Sequence, residues 1–337
     1  MVSEQDIAQA AQVVRSGGLV GMPTETVYGL ACDATHGTAV ARVFEAKARP
    51  SFDPLIVHVL DRDMARGLTD APWPAEALRL AEAFWPGPLT LVLPRKAGAV
   101  ADLATSGLDT VALRAPAHPV ARALIASAGV PLAAPSANRF GSISPTRAEH
   151  VRQELGDAVS LVLDGGACVH GLESTVVGFD AAGHPAVLRL GALTTESLAG
   201  VLGELPEVRS SGSRPASPGM LDRHYAPRTP MRLFEAWDDA ADVARIISEE
   251  PDRSVGLLAP GLADDSAGRS ADRSAGFVAS HRLRQGSDLR ASAAGLFAAM
   301  RALDAADLTD LMAVAVEDAG LGRAINDRLR RASLPVA

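Results

Sequence analysis

Short apolar runs alternate with stretches of helical periodicity over the first 200 residues, and this alternation constrains the fold more than any other feature of the sequence. A short apolar run is typical of a buried strand, whereas apolar residues spaced three and four apart predict a helix with one buried face. The sequence predicts strands at 19–22, 55–60, 89–93, 110–113, 161–164, 175–179 and 186–190, and helices at 7–15, 38–47, 75–84, 118–128 and 147–155. Strands interleaved with helices indicate an α/β layer with a largely buried sheet, and they leave the strand directions open.

A proline-rich segment interrupts this pattern. Five of the 22 prolines lie between residues 206 and 230, among serines and glycines, a composition typical of a linker. Beyond it the sequence predicts strands at 231–234, 255–259 and 311–316, and helices at 239–249, 289–303 and 323–331. We therefore predict one domain at 1–205, a linker at 206–230 and a smaller α/β domain at 231–337, as a length of 337 residues suggests.

Composition excludes several classes of protein. A net charge of −8 argues against a protein that coats nucleic acid non-specifically, because such binding needs a broad cationic surface. Two distant cysteines, Cys32 and Cys168, form neither a disulfide framework nor a four-ligand zinc site. The polar, acidic start and the lack of a long apolar run predict a cytoplasmic protein. The motifs of P-loop kinases, zinc peptidases and α/β-hydrolases are not found.

Polar side chains stand at the ends of several predicted strands, where open α/β sheets bind ligands. Thr24 and Thr26 follow the first strand, and they either bind a ligand or cap the next turn. A lone strand histidine such as His58 is more often a core residue than a catalytic one. Arg114 ends a strand and requires an anionic partner, which is either a protein carboxylate or a substrate carboxylate.

Lys47 and Arg49 close the second predicted helix, just before Pro50. Either they complement the helix dipole, or they converge on a polyphosphate, with Lys as a point charge and Arg as a fork. Only two of the 32 lysine and arginine residues are lysine, Lys47 and Lys96. A base composition that replaces Lys by Arg should spare Lys where Arg fails, and this favours the phosphate interpretation.

Eight motifs occur in a specific order along the first domain. They are PTETVYGL (23–30), KARP (47–50), DPLIVH (53–58), WPGPLT (85–90), LRAPAH (113–118), PSAN (135–138), SPT (144–146) and ESTV (173–176). Together they resemble the YrdC-like family of threonylcarbamoyl-AMP synthases over about residues 5–205. The segments SPGM (217–220) and RHYAP (223–227) are similar to the long form of that family, which has an additional C-terminal domain.

The resemblance implies a fold and a reaction. The fold is a twisted mixed sheet with flanking helices around a concave cationic cleft, followed by a smaller Rossmann-like domain. The reaction converts L-threonine, bicarbonate or CO₂, and ATP with Mg²⁺ into threonylcarbamoyl-AMP and pyrophosphate. The product would pass to a tRNA threonylcarbamoyl transferase, and RNA contact would be at most weak or transient.

The resemblance also implies residue roles, and it leaves metal ligands unassigned. Catalytic roles fall on Lys47 and Arg49. Threonine contacts are implied at Thr26, His58, Arg114, Ala134 and Ser174, and nucleotide contacts at Lys47, Arg49, Asp53, Thr110, Ser136, Asn138, Ser144, Arg189 and Tyr225. Tyr225 lies in the linker, which would then fold over the nucleotide as a lid. One departure is Leu190, since the family usually has Arg-Pro-Gly where this chain has Arg189-Leu190-Gly191.

Two alternative functions make different demands on the sequence. An RNA-binding module of the same fold, without adenylate-forming activity, is disfavoured by the net charge unless arginines cluster on one face. Carbamoyl transfer from carbamoyl phosphate, as in hydrogenase-maturation relatives, requires Cys-x-x-Cys zinc modules and an acylphosphatase-like domain, and this sequence contains neither.

Overall fold

The computed structural model describes residues 2–70, 72–209, 224–236, 239, 242, 253–260, 277, 279–283 and 289–334. These residues form two compact units. The first contains the described residues up to Phe140 and from Ser144 to Arg209, and the second contains Gly141–Ile143 and those from His224 onward. Most of the predicted linker and nearly all of the helix predicted at 239–249 lie outside the described residues.

Seven helices of the first unit are described, and their ends follow local capping signals. They are α1 Glu4–Arg15, α2 Gly37–Lys47, α3 Arg62–Gly67, α4 Ala75–Phe84, α5 Pro119–Ala128, α6 Ala148–Leu155 and α7 Thr195–Leu202. Ser3 and Asp6 form a reciprocal capping box at the start of α1. At α5, Pro119 occupies the first turn and Gly129 ends the helix with φ +71°.

The described strands of the first unit form one mixed sheet. In chain order they are β1 Val20–Met22, β2 Gly29–Asp33, β3 Ile56–His58, β4 Leu89–Pro94, β5 Thr110–Arg114, β6 Leu132–Ala133, β7 Leu161–Val162, β8 Thr175–Phe179, β9 Pro185–Arg189 and β10 Glu207–Val208. Their order across the sheet is β10-β9-β8-β4-β5-β3-β6-β2-β1-β7. Parallel pairs such as β3 with β5 adjoin antiparallel pairs such as β4 with β5, which confirms the mixed sheet.

The central strands separate a core face from a second face. Because side chains alternate along a strand, Val57, Leu91 and Leu113 point into the main core with the apolar residues of α2 and α4. Their neighbours form a separate cluster on the opposite face, made of Ile56, Val92, Ala112 and Val176 with Leu188 packed against it. We call this opposite surface of the sheet the site face, because the side chains described below lie on it or at the strand ends that border it.

The second unit is built on a four-stranded, fully parallel sheet. Its strands are β11 Met231–Phe234, β12 Val255–Pro260, β13 Ala279–Leu283 and β14 Asp310–Val314, in the order β11-β14-β12-β13. Two described helices accompany them, α8 Leu289–Asp304 and α9 Leu321–Ala332. A parallel sheet accompanied by these two described helices confirms an α/β domain after the proline-rich segment.

Candidate active site

Arg114 ends β5 on the site face, and its side chain is only 4% exposed. Its Nε donates to the carbonyl of Gly87 at 3.3 Å, and one terminal nitrogen donates to the Thr26 hydroxyl at 2.8 Å. The other terminal nitrogen donates to the Glu25 carboxylate at 2.6 Å. Three of the five guanidinium N–H donors are therefore held by described residues, and one on each terminal nitrogen remains for a ligand.

The loop after β1 supplies these partners. The Thr24 hydroxyl donates to the carbonyl of Val27 at 2.6 Å and accepts from the Thr26 amide at 3.1 Å, so Thr24 caps the turn as one interpretation predicted. The Thr26 hydroxyl lies 2.8 Å from that of Thr24 and also contacts Arg114. The turn therefore fixes the position of Thr26 beside the Arg114 guanidinium.

His58 and Ala134 lie on the strands next to Arg114. His58 is directly opposite Arg114 in the β3–β5 ladder, and Ala134 follows β6, with its amide donating to the carbonyl of Ile56 at 2.9 Å. Burial and the adjacent Arg114 charge lower the pKa of His58 to about 3, so the imidazole is neutral. It is at once a buried strand histidine and a neighbour of the anion-binding arginine.

A hydroxyl pair lies at the same end of the sheet. The hydroxyls of Thr90 and Ser174 are 2.7 Å apart, and both side chains are buried. Arg189 donates to the carbonyl of Ser174 at 2.8 Å and to its hydroxyl at 3.2 Å. Thr90 precedes Leu91, the partner of Leu113 in the ladder, so this pair lies close to Arg114. The sequence resemblance implies no role for Thr90, although this residue ends the WPGPLT motif.

Lys47 is the last residue of α2, and its side chain is almost fully buried. The ammonium donates to the carbonyl of Ser136 at 2.5 Å and to the carbonyl of Asn138. Burial and the nearby Arg49 charge lower its pKa. Lys47 therefore holds the PSAN motif, and an ammonium has a third N–H to offer to a ligand.

Ala48, between Lys47 and Arg49, follows the end of α2 in a left-handed conformation, with φ +50°. The Arg49 guanidinium forms an ion pair with Asp53 at 2.8 Å and donates to the carbonyl of Pro54 at 2.9 Å. The helix ends before Pro50, as predicted. Arg49 and Asp53 thus form a buried unit that shapes the loop leading into β3.

Ser144 contacts the segment that carries Ser174. Its hydroxyl donates to the Glu173 carboxylate at 2.7 Å, and Glu173 immediately precedes Ser174. The residue that caps α6 is Arg147, so Ser144 lies before the helix and does not cap it. Glu173 begins the ESTV motif, and it is a second site neighbour for which the resemblance implies no role.

Thr110 begins β5, at the opposite end of the strand from Arg114. The two side chains share the site face and are about 13 Å apart along the strand. Thr110 lines a cavity of about 710 Å³ together with Val92, Gly178 and Leu188. The site face therefore runs from a charged end at Arg114, over an apolar floor, to a cavity at Thr110.

Tyr225 belongs to the second unit, where its side chain is 1% exposed. Its ring stacks on that of Phe297 with centroids 5.5 Å apart, and the Arg328 guanidinium lies 4.9 Å from the ring centroid. Within its own unit, Tyr225 is therefore a firmly packed aromatic residue. Its predicted nucleotide contact stays a prediction.

Gly191, which follows the departure at Leu190, packs closely against backbone. A Cβ on Gly191 would lie 2.4 Å from the carbonyl oxygen of Glu173 and 2.5 Å from backbone atoms of Ser174 and Thr175. Backbone cannot yield as a flexible side chain does, so this close approach requires glycine. The glycine of the family motif is kept, and with it the contact that places Ser174.

We expect Gly191→Ala to destabilise the protein by about 1–3 kcal/mol, because the added methyl group overpacks against backbone. Thermal unfolding measures this effect. The matched control is Gly200→Ala in α7, where a Cβ meets nothing within 4 Å. That change should leave the melting temperature unchanged or raise it, since alanine favours a helix by up to about 1 kcal/mol. A Gly191→Ala protein that melts with the wild type would contradict the assignment of this contact.

The described residues contain no group of three or more His, Cys, Asp and Glu side chains that could hold a metal ion. None of the described helices is both long and apolar enough to cross a membrane.

Comparison with known proteins covers nearly the whole chain. Residues 12–191 match the family model Sua5_yciO_yrdC, described as "Telomere recombination", and residues 193–333 match a model described as "Threonylcarbamoyl-AMP synthase, C-terminal domain". The chain is 40% identical to the threonylcarbamoyl-AMP synthase of Bacillus subtilis, over 98% of this chain and 94% of the relative. It is 40% identical to that of Pyrococcus abyssi, over 98% of this chain and 95% of the relative.

A solved structure extends the likeness to three dimensions. The crystal structure of P. abyssi Sua5 complexed with L-threonine matches with a TM-score of 0.87 and 38% identity, over 99% of this chain and 95% of that chain. The matches to the two family models, to the curated synthases and to the solved structure therefore all indicate the same family. This chain belongs to the Sua5/YciO/YrdC family, as a long-form member of the threonylcarbamoyl-AMP synthases.

Proposed function

We propose that this protein is an L-threonylcarbamoyl-AMP synthase, which converts L-threonine, bicarbonate or CO₂, and ATP into threonylcarbamoyl-AMP and pyrophosphate. The observation that carries the proposal is similarity to curated synthases over both domains, together with the gathering of the implied threonine residues around Arg114.

The charged end of the site face suits an amino acid. Arg114 keeps one N–H on each terminal nitrogen, and two N–H groups are what a carboxylate accepts from an arginine fork. Thr26 and Ser174 supply hydroxyls close by, and His58 is a neutral polar neighbour. We assign the threonine carboxylate to Arg114, with the amino group directed towards the middle of the face.

The rest of the face suits a nucleotide. The adenosine would occupy the cavity at Thr110, where the apolar floor of Val92 and Leu188 offers a surface for the base. The triphosphate would lie against the PSAN motif held by Lys47 and near Arg49, and the nucleotide would make its further contacts with Asp53, Ser144 and Arg189. The length of β5 between Thr110 and Arg114, about 13 Å, matches the scale of an adenylate bonded to an amino acid.

The chemistry proceeds in two steps. The nitrogen of the neutral threonine amine attacks the carbon of CO₂, so an N–C bond forms as one C–O π bond breaks, and the N–H proton passes to solvent or bicarbonate to leave a carbamate. A carbamate oxygen then attacks the α-phosphorus of ATP, so a new O–P bond forms as the bond to pyrophosphate breaks. The protein's contribution is to orient the two reactants and to stabilise the charge that develops on the phosphate oxygens, through fixed donors such as Lys47.

Magnesium would enter with the triphosphate. Mg²⁺ commonly binds substrate phosphates and keeps several waters, rather than a dedicated protein cage. This fits a site in which Glu25 and Asp53 are already paired with arginines. When bound, the ion neutralises phosphate charge. The proposal assigns it no protein ligand.

The product is an activated carbamoyl group on AMP, and it must be consumed by a transferase that carries it to tRNA. We place this reaction in the cytoplasm, where that acceptor is found. Contact with RNA would be weak or transient, because the net charge of −8 opposes stable binding.

The proposal predicts that pyrophosphate appears only when L-threonine and bicarbonate are both supplied with ATP. Release is measured with a coupled pyrophosphate assay in CO₂-depleted buffer, to which each substrate is added in turn. ¹⁴C-bicarbonate should enter an adenylate in the same samples. Equal release of pyrophosphate without threonine would refute the assignment. An RNA-binding module would release none, and its affinity for RNA would fall steeply with salt.

A further inference from the structure

Glu25 is a buried carboxylate for which the proposed chemistry has no role. One carboxylate oxygen accepts from Arg114 at 2.6 Å. The other accepts from the backbone amides of Ala117 and His118 at 3.1 and 3.2 Å. The side chain is 8% exposed. Glu25 therefore connects the loop after β1 to the segment after β5, and Arg114 lies between them.

The charge of Glu25 is fixed. Burial raises the pKa of its carboxyl, but the Arg114 charge and the hydrogen bonds outweigh this effect and lower the pKa to about 2. Glu25 is thus ionised at every physiological pH, and it is too weak a base to take a proton from an amine. What it offers is a permanent anion with both oxygens in use.

The three hydrogen bonds require a group that only accepts. A carboxylate has no donor, whereas the amide of glutamine carries an NH₂ on one side. In either orientation that NH₂ would face an N–H, on Arg114 or on the amides of Ala117 and His118. Glutamine at position 25 has the size of glutamate but cannot accept all three of these hydrogen bonds.

We propose that Glu25 is the positioning residue for recognition of the amino-acid carboxylate, since it holds the Arg114 guanidinium with its remaining N–H donors turned towards the substrate. Glu25 itself does not contact the substrate. The inference rests on the proposed function, and it extends that function to a residue outside the implied threonine set.

A competing role makes the opposite prediction. If Glu25 only neutralised Arg114, its removal would leave a stronger positive charge and would tighten the binding of any carboxylate. The KM for threonine would then fall. If Glu25 positions Arg114, the KM for threonine rises, because an arginine without its fixed partner no longer presents its donors in one geometry.

The test compares Glu25→Gln and Glu25→Asp with the wild type. For E25Q we expect the KM for L-threonine to rise about tenfold or more, and the KM for ATP to change less than about twofold. E25D keeps an acceptor-only group and should lie between E25Q and the wild type. A second readout is L-threoninamide, which lacks the carboxylate. The preference for threonine over threoninamide in kcat/KM should fall about tenfold in E25Q.

The matched control is Asp102→Asn, which removes an ion pair of 2.5 Å with Arg95 outside the site. It should change neither KM. An unchanged or lower KM for threonine in a folded E25Q protein overturns the inference, as does a parallel rise in both KM values. If E25Q fails to fold, the same comparison is made with E25D. Lack of threonine-dependent activity in the wild type would instead refute the proposed function.

Discussion

Arg114→Met is expected to lower kcat/KM for L-threonine by about 10³-fold while changing the KM for ATP by less than about threefold. Methionine fills much of the same space and removes the N–H donors that we assign to the substrate carboxylate. The nucleotide contacts that we propose lie away from Arg114, at the PSAN motif held by Lys47 and at the cavity lined by Thr110. Steady-state kinetics with each substrate varied in turn measure this split. A variant that keeps wild-type kcat/KM for threonine would refute the assignment of Arg114.

The same substitution should lower stability in a way that depends on pH. Removing one member of a buried ion pair costs about 3–5 kcal/mol, because Glu25 stays buried without its partner. In the wild type the pKa of Glu25 is about 2, below its ordinary 4.5, so its stabilising effect is present above pH 4.5 and is lost as the pH falls towards 2. In the variant the pKa of Glu25 rises, because burial remains and the Arg114 charge is gone. Its contribution then falls as the pH rises through 4.5.

The difference in unfolding free energy between wild type and variant should therefore be largest near pH 7 and should shrink towards pH 4. Denaturant titrations at both pH values measure it. The double variant R114M/E25Q provides the control, since it removes both charges. It should regain part of the stability lost in R114M and none of the activity. A double variant no more stable than R114M would contradict the buried-pair explanation.

The periodicity of the sequence predicted most long elements to within a few residues. Helix α4 was predicted at 75–84 and is Ala75–Phe84, and β8 was predicted at 175–179 and is Thr175–Phe179. Both carry several apolar residues in a regular pattern. In contrast, β6 has two residues and follows a proline, and α3 is a single short helix in which only Ala65 is buried. Tertiary contacts determine such elements, and local pattern does not.

Strand β2 shows a different limit. Gly29 and Leu30 end the PTETVYGL motif, yet Gly29–Asp33 form a buried strand that pairs with β1 and β6. The motif and the strand share Gly29 and Leu30, so the apolar pattern of the strand was not recognised beside the polar residues of the motif. The order of the motifs was enough to predict the family and the fold class. The pairing of β2 with β6 depends on contacts between residues distant in sequence.

The site could be predicted as a set of residues and only partly as a set of interactions. The requirement of Arg114 for an anionic partner was deduced from its strand-end position, and the protein partner is Glu25, which stands 89 residues earlier. Thr90 and Glu173 stand inside quoted motifs, and their importance becomes visible only through the distances to Ser174 and Ser144. The residue types indicate which chemistry is available. Side-chain geometry is needed to identify which residue contacts the substrate and which residue holds it in position.

Lys47→Arg, which keeps the positive charge, should impair the enzyme nearly as much as Lys47→Met. The Lys47 side chain is 1% exposed, and its ammonium lies 2.5 Å from the carbonyl of Ser136. A guanidinium is larger and planar, so it must displace the PSAN motif, and such overpacking costs about 1–3 kcal/mol. Methionine instead leaves the carbonyls of Ser136 and Asn138 without this donor, at a similar cost.

For both Lys47 variants we expect kcat to fall about 10²–10³-fold and the KM for ATP to rise, because the PSAN motif and the ammonium belong to the proposed phosphate site. The other lysine provides the matched control. Lys96 is exposed, so Lys96→Arg and Lys96→Met should leave kcat and the KM for ATP unchanged. The free energy of unfolding should stay within about 0.5 kcal/mol of the wild type. An Lys47→Arg protein with normal kinetics would show that a positive charge suffices at this position. The close fit of an ammonium between two carbonyls would then not explain why position 47 is one of the two lysines of the chain.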